Sequence, residues 1–225
     1  MPDTLHGRHI VLTAGPTLEP IDPVRFISNR SSGKQGYAIA TALAALGARV
    51  TLISGPTALN DPANVETIRV ETALEMLAAV ETALPADVFI GVAAVSDWRP
   101  ASRADKKLKL DKSDFCALPL TENPDILKTI SNHADMRPDL VIGFAAETHD
   151  IIEHARGKLQ RKGCDGIIAN DVSGDVMGGD NNQVTWVTAS QTDNWPSESK
   201  VEVAARIARQ ISQTIATTCN EDTPT

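Results

Sequence analysis

Three groupings in the 225-residue sequence have side chains suited to holding an anion. The densest runs from Arg99 to Lys112, where Arg99, Arg103, Lys106, Lys107, Lys109 and Lys112 meet only Asp105 and Asp111, in a chain of formal net charge −8. Cations gathered locally in an acidic protein attract small anionic ligands; a solvated charged face accounts for the composition as readily. A second group, Arg156, Lys158, Arg161 and Lys162, falls on a stretch that reads as a helix. Lys158 and Lys162 are spaced to share one face of it. The third is Ser31-Ser32-Gly33-Lys34 at the start of an alanine-rich helix. Hydroxyls beside the unpaired N–H groups of a helix N-terminus favour anions, and an ordinary helix start fits the same residues.

Several familiar chemistries fail on spacing. A P-loop needs Gly at position 28 and Ser or Thr at 35, where this chain has Ser28 and Gln35. The first strand-to-helix connection reads TAGPTLEP in place of GxGxxG, and the second strand ends in Ser54-Gly55-Pro56 with no acidic residue for a ribose. Nicotinamide chemistry is therefore poorly supported. Cys116, Cys164 and Cys219 have no metal-ligand or disulfide-framework spacing. His6, His9, His133, His149 and His154 show no zincin or triad spacing and read as structural or surface residues. Acidic charge and 4% aromatic content argue against nucleic-acid binding. No apolar run is long enough to span a membrane, and MPDTLHGRH has no signal-peptide core, so the expected location is the cytoplasm.

The elements that must position these groups alternate. Apolar runs at His9–Thr13, Arg49–Ser54, Val65–Val70, Asp87–Val95, Leu140–Phe144, Gly166–Asn170 and Gln183–Ala189 read as strands. Helical spacing falls at Lys34–Leu46, Thr72–Leu84 (with Thr72 as cap), Ile151–Lys162 and Lys200–Ile215, the last capped by Ser197. Strand–helix alternation predicts an α/β fold, a Rossmann-like, mostly parallel sheet flanked by helices. A single domain is expected, with an ordered core over about residues 8–216 and a polar tail from Thr217. The irregular stretch 96–124 is long for a compact domain, and such loops tend to be functional.

Six segments lie at or beside predicted strand ends, where open α/β sheets hold ligands. They are GPTLEPIDPVRFISNRSSGK (15–34), AAVSDWRP (93–100) with KKLKL (106–110), ENPDIL (122–127), GFAAET (143–148), KLQRKGCDGIIAND (158–171) and GGDNN (178–182). In this order they resemble phosphopantothenate–cysteine ligase (phosphopantothenoylcysteine synthetase) of coenzyme A biosynthesis, over nearly the whole chain. Departures are mild: Gln35 where Met is usual, Ser96-Asp97-Trp98 for Ala-Asp-Tyr, and Met177-Gly178-Gly179-Asp180 for Phe-Gly-Ser-Asp.

The resemblance implies a two-step reaction: 4′-phosphopantothenate and CTP give an acyl-cytidylate and pyrophosphate, then L-cysteine gives the amide and CMP. Asn29 and Lys107 are implied as the catalytic pair, Lys107 also at the triphosphate, with Lys106 and Lys109 as competitors for that register. Implied CTP contacts are Gly91, Val92, Ala93, Asp97, Asn123, Pro124, Asp125, Ile126, Phe144, Lys158 and Lys162. Gly15, Ser31, Ser32 and Gly33 would serve phosphate or substrate. Asp97 would hold Mg²⁺ or a ribose hydroxyl, and a turn-capping role suits it equally. A homodimer is implied, through PVRFISNR and an arm within 96–124, and a fused or separate flavin-dependent decarboxylase. Against the ligase stand a non-catalytic nucleotide-binding dimer module and an NAD(P)-dependent reductase.

Overall fold

The computed structural model describes residues 4–108, 117–147, 149–171 and 179–221. Lys109, Leu110, Lys112 and Cys116 of the arm, Thr148, Met177, Gly178 and residues 222–225 lie outside them.

The chain begins with β1 (His9–Ala14), a hairpin of β2 (Leu18–Pro20) and β3 (Phe26–Ser28), and α1 (Lys34–Ala44). It continues through β4 (Arg49–Ser54), β5 (Glu66–Arg69), α2 (Ala73–Ala83) and β6 (Val88–Gly91). Two short strands, β7 (Trp98–Pro100) and β8 (Leu120–Glu122), precede α3 (Ile126–Ser131), β9 (Leu140–Glu147), α4 (Ile151–Lys162) and β10 (Gly166–Asp171). The last elements are β11 (Asn181–Asn182), β12 (Val184–Thr188), β13 (Thr192–Asn194), β14 (Glu198–Ser199) and α5 (Lys200–Glu221).

The main sheet runs β13-β12-β10-β9-β6-β1-β4-β5. From β10 to β5 every pairing is parallel, and β12 and β13 are antiparallel at the edge. The six parallel strands follow the doubly wound order 3-2-1-4-5-6. The fold is α/β and Rossmann-like.

Both faces of the sheet are covered, which is why the central strands are continuously apolar. Ile10, Leu12, Ile39, Leu43, Val203, Ile207 and Ile211 fill the layer beneath α1 and α5. Val11, Ile53, Met76, Val80, Phe89, Ile130 and Leu159 fill the layer beneath α2, α3 and α4. Alternation along β1 sends Ile10 and Leu12 to one side and Val11 to the other.

Thr72 caps α2 as expected, in a reciprocal box with Glu75. Other boundaries differ from the sequence reading. The cap of α5 is Ser199, not Ser197: Glu202 N–H donates to Ser199 Oγ at 3.2 Å, and Ser199 N–H donates to Glu202 Oε2 at 2.9 Å. Glu198 is still paired with Asn182 in the β11–β14 ladder, which delays the helix start. That helix also continues past Ile215 to Glu221, with no Gly or Pro to stop it. Leu5 is fully buried, ahead of the expected start of the core. β6 ends at Gly91 because the chain beyond it is stitched to the end of β1. There Ala94 N–H donates to Gly15 O (2.9 Å), Thr17 N–H to Ala94 O (3.2 Å) and Ala93 N–H to Thr13 Oγ1 (3.2 Å). Within 96–124, β7 and β8 pair antiparallel. No helix of the described residues is long and apolar enough to cross a membrane.

Candidate active site

In a doubly wound sheet the strand order reverses between the first and fourth strands, and the loops leaving them diverge to open a crevice. Here those strands are β1 and β6. Two adjoining clefts open there, sharing Ala93, Val95, Phe144 and Lys158 as common wall.

The first cleft has a volume of about 430 Å³ and is lined by Gly91, Ala93, Asp97, Asn123, Pro124, Asp125, Ile126, Phe144, Lys158 and Lys162 among others. Ten of the residues implied for CTP therefore come together, from four separate stretches of chain. Several have a visible local job. Asp125 caps α3 by accepting Lys128 N–H at 3.0 Å and is ion-paired with Lys162. Asn123 is a strut: its Nδ2 donates to Ser96 O at 2.8 Å, its backbone N–H to Asp97 O at 2.8 Å, and its Oδ1 accepts from Arg99 at 3.2 Å. Its side chain thus fixes the β7–β8 crossover. Lys158 Nζ donates to Phe144 O at 2.6 Å, at the partition between the clefts. Phe144 is half-buried, packed against the core below while its upper side faces both clefts.

The second cleft, about 340 Å³, collects Gly15, Asn29, Ser31, Ser32, Gly33 and Val92 with Arg30, Lys34, Asn170, Asn182 and Lys200. Gly15 and Gly33 both adopt left-handed backbone (φ +76° each) and face one another across the Thr57 methyl, an approach that side chains would block. Gly33 is the N-cap of α1 and leaves the N–H groups of the first turn facing the cleft. Asn29 Nδ2 donates to Ala94 O at 3.0 Å, which anchors its amide on the stitched segment beyond β6.

Arg30, Lys34, Lys158 and Lys200 line this cleft, and no carboxylate does among the described residues. Asp180 bonds Lys34 Nζ at 2.7 Å, and that bond holds its carboxyl below the usual range. Burial, then the neighbouring Lys34 charge, pushes the Lys200 ammonium below its usual value. The orientation of Asn182, 2% exposed, is fixed by a relay. Lys200 O can only accept, so Gln35 presents Nε2 to it (3.1 Å) and Oε1 to Asn182 Nδ2 (3.1 Å). Among the described residues, Asn182 Oδ1 is buried without a partner, as is Asn170 Oδ1. Such a cleft suits a ligand with an anionic end and N–H or O–H donors.

The sequence reading left Arg30, Lys34, Asn170, Asn182 and Lys200 without roles. SSGK and GGDNN were visible signals, whereas nothing in the residues around Lys200 marks it. Lys107 is placed differently from the rest. It is exposed, lines neither cleft, and sits just ahead of Leu108, whose N–H donates to Asp22 Oδ2 at 3.1 Å.

The model of the DNA/pantothenate metabolism flavoprotein C-terminal domain matches residues 5–215. The chain belongs to that family. It is 45% identical over 214 residues to the coenzyme A biosynthesis bifunctional protein CoaBC of Vibrio vulnificus (strain CMCP6), covering 93% of this chain and 53% of that protein. Against the protein of the same name from Escherichia coli (strain K12) it is 50% identical over 179 residues, 77% of this chain and 44% of that one. The chain thus spans about half the length of these curated relatives. A crystal structure of the C-terminal domain of CoaBC superposes with a TM-score of 0.81 at 42% identity, covering 95% of this chain and 98% of that one. The matched region is thus the C-terminal domain of the longer relatives.

Proposed function

We propose that this domain is a phosphopantothenate–cysteine ligase that joins 4′-phosphopantothenate to L-cysteine using CTP. The observation that carries the reading is the pair of clefts at the strand-order reversal, one of them bearing four cations and no carboxylate among the described residues. Family membership and the names of the relatives support it.

In the first step a carboxylate oxygen of phosphopantothenate attacks the α-phosphorus of CTP. The new O–P bond forms as the bond to pyrophosphate breaks. Two unit charges at 4 Å repel by about 1 kcal/mol in water and about 4 at an effective dielectric of 20, so the step needs cations around it. Lys158, Lys34, Arg30 and Lys200 supply them at the second cleft, and Lys162 at the first. Lys107 is assigned to the triphosphate and the acyl-cytidylate. In the second step the cysteine nitrogen attacks the acyl carbon, the acyl C–O bond breaks, CMP leaves, and the ammonium protons pass to phosphate or water. Asn29, held through Nδ2, keeps Oδ1 for a donor on the intermediate. Backbone groups of Gly91, Val92 and Ala93 are assigned to the base, where N–H and C=O distinguish an amine from a carbonyl.

Mg²⁺ fits the donor set as an ion brought in on the nucleotide. Asp97 is exposed at the first cleft, while Asp125 is engaged by Lys162, and among the described residues no three acidic, His or Cys side chains cluster. Metals of this kind are held by one or two carboxylates plus phosphates. When bound it would neutralise triphosphate charge. We assign the chain to a homodimer through the hairpin and the β7–β8 arm, where Val24, Phe26, Trp98 and Leu120 are 45–58% exposed. A flavin-dependent decarboxylase, fused or separate, and a cytoplasmic location complete the reading.

The test is pyrophosphate release from CTP with 4′-phosphopantothenate, with and without L-cysteine. Release that requires phosphopantothenate, followed by cysteine-dependent CMP and amide, is expected. Release with ATP but not CTP would overturn the base assignment. No release with either nucleotide, despite binding by calorimetry, would overturn the ligase reading.

A further inference from the structure

Asp22 sits at the tip of the β2–β3 hairpin with its side chain fully buried. An ionised carboxylate withdrawn from water needs every lone pair answered, and its two oxygens are answered differently. Oδ1 serves the local turn, accepting Val24 N–H at 2.8 Å and Arg25 N–H at 2.9 Å. Oδ2 accepts Arg25 Nε at 3.0 Å, Arg25 NH2 at 2.6 Å and, from far along the chain, Leu108 N–H at 3.1 Å. Arg25 NH2 also donates to Leu108 O at 3.1 Å. Ala104 N–H, on the other side of the lysines, donates to Ile21 O at 3.0 Å.

The segment 104–108 is thus fastened at both ends to the hairpin tip, with Lys106 and Lys107 exposed between the fastenings. The other end of the same hairpin runs into Asn29, tied to Ala94 O. One rigid piece therefore carries both residues assigned to the chemistry. The Arg25 guanidinium, ahead of the opposing effect of burial, holds the Asp22 carboxyl well below the usual range, so the clasp is charged at neutral pH.

We infer that Asp22 is a positioning residue: its Oδ2 holds the Lys106–Lys107 segment in register with the hairpin that presents Asn29. This rests on the ligase reading for what the lysine does, but the fastening itself can be read without activity.

Asp22→Asn separates the two oxygens. An asparagine can keep Oδ1 on the turn, which then turns its amide Nδ2 toward three donors and undoes the fastening to Leu108. In the full chain, amide exchange at Leu108 is expected to quicken about tenfold or more while Ile53 in the core is unchanged. Turnover should fall by roughly tenfold or more, and by a larger factor than KM for CTP rises, since misplacing a charge that serves the reacting atoms acts chiefly on kcat. In a Lys107→Gln background the same substitution should add nothing further, because it acts through the lysine. If Asp22→Asn disturbs the fold, Leu108→Pro deletes the loop-side donor to Asp22. Position 108 then has no amide to follow, so the quickened exchange is read at Ala104, whose N–H donates to Ile21 O, and the kinetic expectations are unchanged.

Unchanged exchange at Leu108 would overturn the inference, as would faster exchange with unaltered kcat, or a loss that persists in the Lys107→Gln background. Absence of turnover in the unsubstituted chain would instead overturn the ligase reading, and the catalytic part of the inference with it.

Discussion

Replacing Gly33 by alanine tests the backbone geometry on which the second cleft depends. Gly33 sits at φ +76°, and leaving a side chain there costs about 1–2 kcal/mol. An added Cβ would also lie 2.8 Å from Thr57 Cγ2 and 3.4 Å from Gly15 Cα. The threonine is not free to turn away. Its Oγ1 donates to Tyr37 OH (3.2 Å) and accepts from Arg69 NH1 (3.3 Å) and Leu59 N–H (3.4 Å), so moving it forfeits about 1 kcal/mol more. The expected total is about 2–3 kcal/mol, read from urea unfolding by linear extrapolation. Gly7 supplies the internal control: its φ is +80° and nothing lies within 4 Å of the added carbon, so Gly7→Ala should cost only the backbone share. Thr57→Ser removes the methyl and keeps the hydroxyl. In that background Gly33→Ala should cost no more than Gly7→Ala. Equal costs for Gly33→Ala and Gly7→Ala in the unsubstituted chain would refute the steric part. A gap that survives Thr57→Ser would refute its assignment to the methyl.

Lys158→Met should weaken CTP binding by about 1.5–3 kcal/mol, the worth of a charge-assisted hydrogen bond, in titration calorimetry; an unchanged affinity would remove it from the site. Burial raises the Asp87 carboxyl, but His9 N–H and the Arg8 guanidinium outweigh it and leave it below the ordinary value. Its stabilisation is then present above the unfolded carboxylate pKa and lost as pH falls, so Asp87→Asn should flatten the acid limb of a stability–pH curve; an unaltered slope would contradict this. Burial pushes the Cys164 thiol up to about 11, and alkylation at pH 8 should reach it only after denaturation, as peptide mapping would show.

The strands were legible because burial on both faces writes continuous apolar runs, as in Val88–Gly91 and Leu140–Phe144. Helices were legible by a different mark, the helical spacing of a single buried face, as with Ala155 and Leu159 in α4. The β7–β8 pair was not, because three-residue strands brought together from distant positions leave no local pattern. Nor was α3, a helix of six residues whose best local mark is its Asp125 cap. The first cleft's residues could be named from motifs. The second was half hidden, since Lys34, Asn182 and Lys200 meet through Asp180, the Gln35 relay and the packing of α1 against α5.

Lys158 stands in the wall between the clefts and belongs to both. A single ammonium cannot be neutralised twice over, so an anion in one compartment lowers the attraction felt in the other. By thermodynamic reciprocity the penalty is the same whichever ligand arrives first. Departure of an anionic product from either side would then restore the pull on what enters the other, and turnover itself would clear the mutual antagonism that binding sets up.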